Sequence, residues 1–121
     1  MSAFADILRR AVEATPGAIG GAFADAQGEM VDSFAKGYDK FEWAVLTATY
    51  GVVMAQLHAA FGIWHYGGPE YFIAQHQRLG VVVHAVPGGY YALVAVNDPA
   101  RVTFALTALR AVTDQIVREM G

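Results

Sequence analysis

The stretch from Phe41 to Trp64, FEWAVLTATYGVVMAQLHAAFGIW, holds one carboxylate, one histidine and no lysine or arginine. Read as a helix it is about 36 Å long, enough to cross a ~30 Å hydrocarbon layer. It must therefore be a membrane span, an ordinary core helix, or a helix covered on two sides. A helical wheel separates two apolar surfaces. Trp43, Leu46, Tyr50, Val53, Leu57, Phe61 and Trp64 form a bulky stripe, and Ala44, Ala48, Gly51, Ala55 and Ala59 form a flat one where another element can approach closely. The clearest polar strip is narrow: Glu42, Thr49 and Gln56, one every seven residues, with Lys40, Thr47, His58 and His65 as a second weak line.

A membrane span is disfavoured because Gln56 and His58 would sit well inside it. The Asp39–Glu42 capping pair that opens the helix, and flanking strands apolar enough to need it as cover, argue the same way. A single-faced core helix should show a wide charged face, and none is present. The remaining reading is a helix that covers its own sheet with one surface and meets a second molecule with the other. The most economical second molecule is another copy related by a two-fold axis, so an obligate homodimer is expected.

Composition agrees. Hydrophobic residues make up 55% of the chain and charged residues 16%, against a usual charged share of about 25%. That is more apolar surface than a small monomer hides. At 121 residues the chain reads as a single domain, 1–121. The net charge is −3 and the eight Lys and Arg residues are scattered, so no nucleic-acid partner is expected. With no cysteine there is neither a disulfide framework nor a thiolate metal site. The opening MSAFADILRR lacks the basic region and apolar run of a secretory leader, which points to the cytoplasm.

Along the chain, Phe4, Ile7, Leu8, Ala11 and Val12 give residues 3–14 one apolar helical stripe, ended by TPG at 15–17. AIGGAFA (18–24) and EMVDSFA (29–35) flank DAQG, a hairpin connector with Gly28 suited to positive φ. Gly20 and Gly21 inside the first strand predict close packing against it. The long helix covers 40–64 and ends at YGGPE. Strands follow at 70–77, 80–86 and 90–96, the last two joined by PGG. Val81 and Val83 alternate with Val82 and Val86, which marks a mid-sheet strand covered on both faces. Asp98 and Pro99 start a last helix whose stripe is Ala105, Leu109, Val112, Ile116 and Met120.

This order, α-β-β-α-β-β-β-α, resembles the roadblock domain of the dynein light-chain roadblock type, also widespread in bacteria and archaea. The likeness covers nearly the whole chain. It is carried by EATPGAIGGAFADAQGEMVDSF, by the long central helix, and by LGVVVHAVPGGYYALVAVND. The resemblance implies an α+β fold, an α/β/α sandwich. Its five-stranded antiparallel sheet would carry the first and last helices on one face and the long helix on the other. It implies dimerisation through the edge strand 70–77 and the long helix 40–64. The interface candidates are Trp43, Leu46, Tyr50, Val53, Leu57, Phe61, Glu42, Thr49, Gln56, Tyr71, Ile73 and His76. It further implies a non-enzymatic scaffold or regulator of a small Ras-like GTPase. Binding follows from it more directly than stimulated hydrolysis, because the chain lacks the extended termini of some such regulators.

Catalytic chemistry is sparse. There is no G-x-x-x-x-G-K-[ST] loop for nucleotide phosphates. Ser2 and Ser33, the only serines, lie in no hydrolase motif. His58 and His65 would lie about 10.5 Å apart along the helix, too far to share a metal. His76 and His84 have equal parity on adjoining strands, which makes them possible neighbours. Pairing of the edge strand across a dimer would make His76 an acid-sensitive interface group. Asp25, Glu29 and Asp32 read as a solvated hairpin. No cofactor or metal is expected. Two other functions fit a domain of this kind: a sensor holding a small molecule between sheet and helix, with Trp43, Tyr50, Phe72, Tyr90 and Tyr91 as candidate lining, and a homomeric structural assembly.

Overall fold

The computed structural model describes residues 2–62 and 67–121. Helix α1 spans Ala3–Glu13 and is capped by Ser2, whose hydroxyl accepts the Ala5 N–H at 3.1 Å. Strands β1 (Ala18–Ala24) and β2 (Met30–Ala35) follow, joined through Gly28 at φ 82°. Helix α2 spans Lys40–Phe61, and the Asp39 carboxylate accepts the Glu42 N–H at 3.0 Å, as the capping pair requires. The sequence-expected end of this helix at Trp64, and His65, lie outside the described residues.

Strands β3 (Tyr71–Gln75), β4 (Gly80–Val86) and β5 (Tyr90–Val96) complete the sheet. The Asp98 carboxylate accepts the Ala100 N–H and opens a short 3-10 turn, Pro99–Arg101, that runs into α3, Val102–Met120. The sheet is antiparallel throughout, in the order β2-β1-β5-β4-β3. β3 is shorter than the expected 70–77 because His76 already belongs to the turn, its N–H donating to the Leu79 carbonyl at 2.7 Å.

The alternation of β4 and β5 divides the core into two layers. Val82, Val86, Val94 and Val96 face α1 and α3, where they meet Leu8, Leu109 and Ile116. Val81, Val83, Leu93 and Tyr91 face α2, where they meet Trp43, Tyr50 and Met54. The expected α/β/α sandwich is the observed fold. The glycines of β1 serve both layers. A Cβ on Gly20 would stand 2.9 Å from the Trp43 ring, and one on Gly21 would stand 3.3 Å from Val12 of α1.

α2 is long and apolar enough to cross a membrane, yet it lies along the sheet. Only 22% of its most apolar stretch is buried within the chain.

Candidate interaction surface

The orientation of α2 decides what the molecule presents. Its buried residues are Trp43, Thr47, Tyr50, Gly51 and Met54. That line runs between the two stripes of the wheel. It takes Trp43 and Tyr50 from the bulky stripe, Gly51 from the flat one, and Thr47 from the weak polar line. The cause lies in β5. Tyr91 rises from the sheet into the space left by the missing Gly51 side chain and donates its hydroxyl to the Thr47 carbonyl at 2.8 Å. A Cβ on Gly51 would collide with that hydroxyl. Burial, and then the Asp25 carboxylate, push the Tyr91 hydroxyl up to about 12.

This packing redistributes the expected interface residues. Trp43 (2% exposed) and Tyr50 (8%) belong to the core and pack against the sheet. Leu46, Val53 and Leu57 are half-buried along one flank of the helix, and Phe61 is exposed at its end. Glu42, Thr49 and Gln56 are exposed. Thr49 spends its hydroxyl on its own helix, donating to the Val45 carbonyl at 2.7 Å. Thr47, read as part of a polar line, is fully buried. Ala44, Ala55 and Ala59 of the flat stripe meet solvent, while Ala48 packs against Gly28 of the β1–β2 turn.

The outward face carries residues that sequence reasoning missed: Phe41 at 76% exposure, Val45 at 49% and Val52 at 58%. Their spacing of four and seven was visible. Placing them outside required knowing which line Tyr91 selects. Phe41 and Val45 continue into a groove of about 700 Å³ between the first half of α2 and the β3–β4 turn. Leu46, Tyr50, Arg78 and Leu79 line it further, and its surface is mainly apolar. At its floor the Tyr50 hydroxyl bonds to Nε2 of His76, and burial raises the Tyr50 pKa.

β3 is an edge strand beside this groove. Its residues alternate between faces. Phe72 and Ala74 pack with the α2 layer. Ile73, opposite Val82, lies on the α3 side at 38% exposure, and Tyr71 lies on that side too, with the Arg110 guanidinium 5.4 Å above its ring. Tyr71 and Ile73 therefore lie on the face of the sheet opposite α2. His84 stands opposite Tyr71 and stacks on it at 6.2 Å, so His76 and His84 sit at opposite ends of β3 and are not neighbours.

The remaining candidates have structural occupations. Oδ1 of Asp25 accepts the Gln27 and Glu29 N–H groups, both at 3.0 Å, and so builds the hairpin turn. Among the described residues no three His, Asp or Glu side chains gather in a metal-binding arrangement. The aromatic set proposed for an internal pocket is split. Tyr90 stacks on Phe23 in the α1–α3 layer, and Tyr91 fills the space beneath Gly51.

No known family profile matches the chain, and no curated protein does. Solved structures do. A Roadblock/LC7 domain from Streptomyces avermitilis superposes with a TM-score of 0.84 over 98% of each chain, at 11% identity. Gliding protein MglB from Thermus thermophilus gives 0.80 over 93% of this chain and 84% of that one, at 13% identity. MglB in a tetrameric arrangement gives 0.77 with the same coverage, at 16% identity. The chain thus has the roadblock fold. At such identities the likeness is one of architecture.

Proposed function

We propose that this chain is a non-enzymatic, homodimeric scaffold or regulator that binds a small Ras-like GTPase in the cytoplasm and influences its GTP hydrolysis or its localisation. The observation that carries the reading is the outward face of α2. On a roadblock fold, a long helix buries one narrow line and leaves Phe41, Val45 and Val52 in water. An exposed apolar surface of this kind marks a protein contact. Three of the similar structures are MglB, one of them described as a gliding protein and one in a tetrameric arrangement, which supports regulation and self-association as the direction to test.

The two jobs divide along the helix. Leu46, Thr49, Val53 and Leu57 lie on the flank toward β3 and serve the second copy. Phe41, Val45 and Val52 point away from the sheet and remain for the GTPase. Sedimentation velocity without detergent should give a species near twice 13.0 kDa. Pull-down with Ras-like GTPases loaded with GDP or GTP should then capture a partner, and Val52→Asp or Gln56→Glu should abolish capture while the dimer stays folded. A well-behaved monomer, or capture indifferent to both substitutions, sinks the reading.

The groove beside α2 favours a second reading, a small-molecule sensor. Its ~700 Å³ falls within the range of ligand pockets, about 300–1,000 Å³. Specific stabilisation by one metabolite class in a thermal-shift screen would favour it over the scaffold.

A further inference from the structure

The groove beside α2 sorts its residues by chemistry. The helix gives it an apolar side, Phe41, Val45 and Leu46, and Leu79 adds to that side from the far wall. Its nitrogen-bearing side chains come from one short piece of chain, His76, Gln77 and Arg78, in the turn between β3 and β4. Each of the three brings hydrogen-bond donors. Among the described residues the ion pairs are made by Arg9, Arg101 and Arg110, and the exposed Arg78 guanidinium is in none of them. The bond between the Tyr50 hydroxyl and Nε2 of His76 occupies one ring nitrogen and leaves Nδ1 for a ligand.

We infer that this groove binds a straight-chain monocarboxylate of about ten to twelve carbons, its tail along the apolar wall and its carboxylate on the β3–β4 turn. This rests on the sensor reading given above and names the ligand. The charge follows from the turn. A guanidinium matches a carboxylate with two parallel hydrogen bonds, and Gln77 and His76 stand next to it in the chain to complete the set. Phe41 belongs to the first turn of α2, where the helix dipole also favours an anion. Glu42 is the one carboxylate among the described lining residues and opposes it.

The tail follows from the wall. From Phe41 to Tyr50 the helix rises about 13.5 Å. An extended chain advances about 3.5 Å for every three bonds, so roughly eleven or twelve bonds span that length. Phe41, Val45, Leu46 and Leu79 offer no side-chain hydrogen bond. A ligand polar along its whole length would leave its groups unpaired there, whereas an alkyl chain loses nothing.

Decanoate, titrated below its micelle concentration and followed by calorimetry, should bind saturably at one site per chain. Decanol and decylamine carry the same tail without the anion and should bind about tenfold or more weakly. Arg78→Gln should raise the decanoate Kd about tenfold. Glu42→Gln should lower it, and Val45→Glu should abolish binding. All three positions are exposed, so the far-UV CD spectrum of each ligand-free variant should match wild type. Equal affinity for the three amphiphiles, or decanoate binding indifferent to Arg78→Gln, overturns the carboxylate assignment and leaves an apolar sensor groove standing. Saturable stabilisation by a polar metabolite, with none by decanoate, overturns the ligand class while the sensor reading stands. A chain that binds none of the amphiphiles and is stabilised by no metabolite overturns both.

Discussion

Helices α2 and α3 are of similar length and lie on opposite faces of one sheet, but α3 buries the broader stripe and carries the more polar outer face. α3 buries Val102, Ala105, Leu109, Val112, Thr113 and Ile116 and exposes Thr103, Thr107, Arg110, Asp114 and Arg118, with Phe104 at 53% and, near its end, Val117 and Met120, the last of these expected in the buried stripe. Its buried threonine is satisfied, Thr113 donating to the Leu109 carbonyl at 2.8 Å. α2 buries a narrower line and turns Phe41, Val45 and Val52 to water. On its buried side, the Thr47 hydroxyl and the Trp43 indole N–H find no hydrogen-bond partner among the described residues. A helix amphipathic in the ordinary sense is stabilised by its own domain. A helix apolar nearly all round is incomplete until something covers it.

The comparison can be broken at its strongest point first. Leu109→Ala in α3 removes a fully buried side chain and should cost about 3 kcal/mol, seen as a lower midpoint in denaturant. The outward face of α2 should be insensitive by the same measure. Val52→Asp should change monomer stability by less than ~0.5 kcal/mol while abolishing partner capture. Comparable losses from both substitutions would mean that the two helices are not different in kind.

The α2–sheet contact has its own pH signature. Tyr91 keeps its proton more firmly in the folded chain, up to about 12, than in the unfolded chain, about 10. Its contribution is therefore whole below pH 10 and is lost as pH rises from 10 to 12. A two-unit shift corresponds to roughly 2–3 kcal/mol. Unfolding followed across that window should show the loss in wild type, and Tyr91→Phe should flatten it. An identical alkaline limb in both would remove Tyr91 as the cause.

A smaller effect tests what rotates α2. Gly51→Ala adds a Cβ into the Tyr91 hydroxyl, an overpacking that costs about 1–3 kcal/mol, partly offset by the ~1 kcal/mol gained on replacing glycine in a helix. A net loss of about 1 kcal/mol is expected in the wild-type background. The same substitution should become stabilising beside Tyr91→Phe, where the colliding oxygen is gone. Additive behaviour in that double-mutant cycle would deny the contact.

Legibility in the sequence followed the range of the interactions. The strands at 18–24, 80–86 and 90–96 match their observed bounds because their ends are marked by turn glycines and prolines that act locally. The capping roles of Asp39 and Asp98 were equally local. Gly20 and Gly21 correctly announced close packing, although nothing in the sequence named Trp43 and Val12 as what packs there. β3 was overextended because EYFIAQHQ alternates well beyond the point where His76 leaves the ladder. The candidate site was half legible. Glu42, Thr49 and Gln56 are exposed as read, whereas Trp43 and Tyr50 turned inward and Phe41, Val45 and Val52 outward.

By itself the sequence determined the order of elements, the two-faced strands β4 and β5, and a central helix with too little polar surface to stand alone. Each of these depends on periodicity within a few residues. The tertiary structure decided which line of that helix lies down and which turn faces it across the groove. On a helix without a charged face, hydrophobicity alone leaves the rotation nearly free. One long-range fit, the Tyr91 hydroxyl entering the space over Gly51 from a strand forty residues away, settles it.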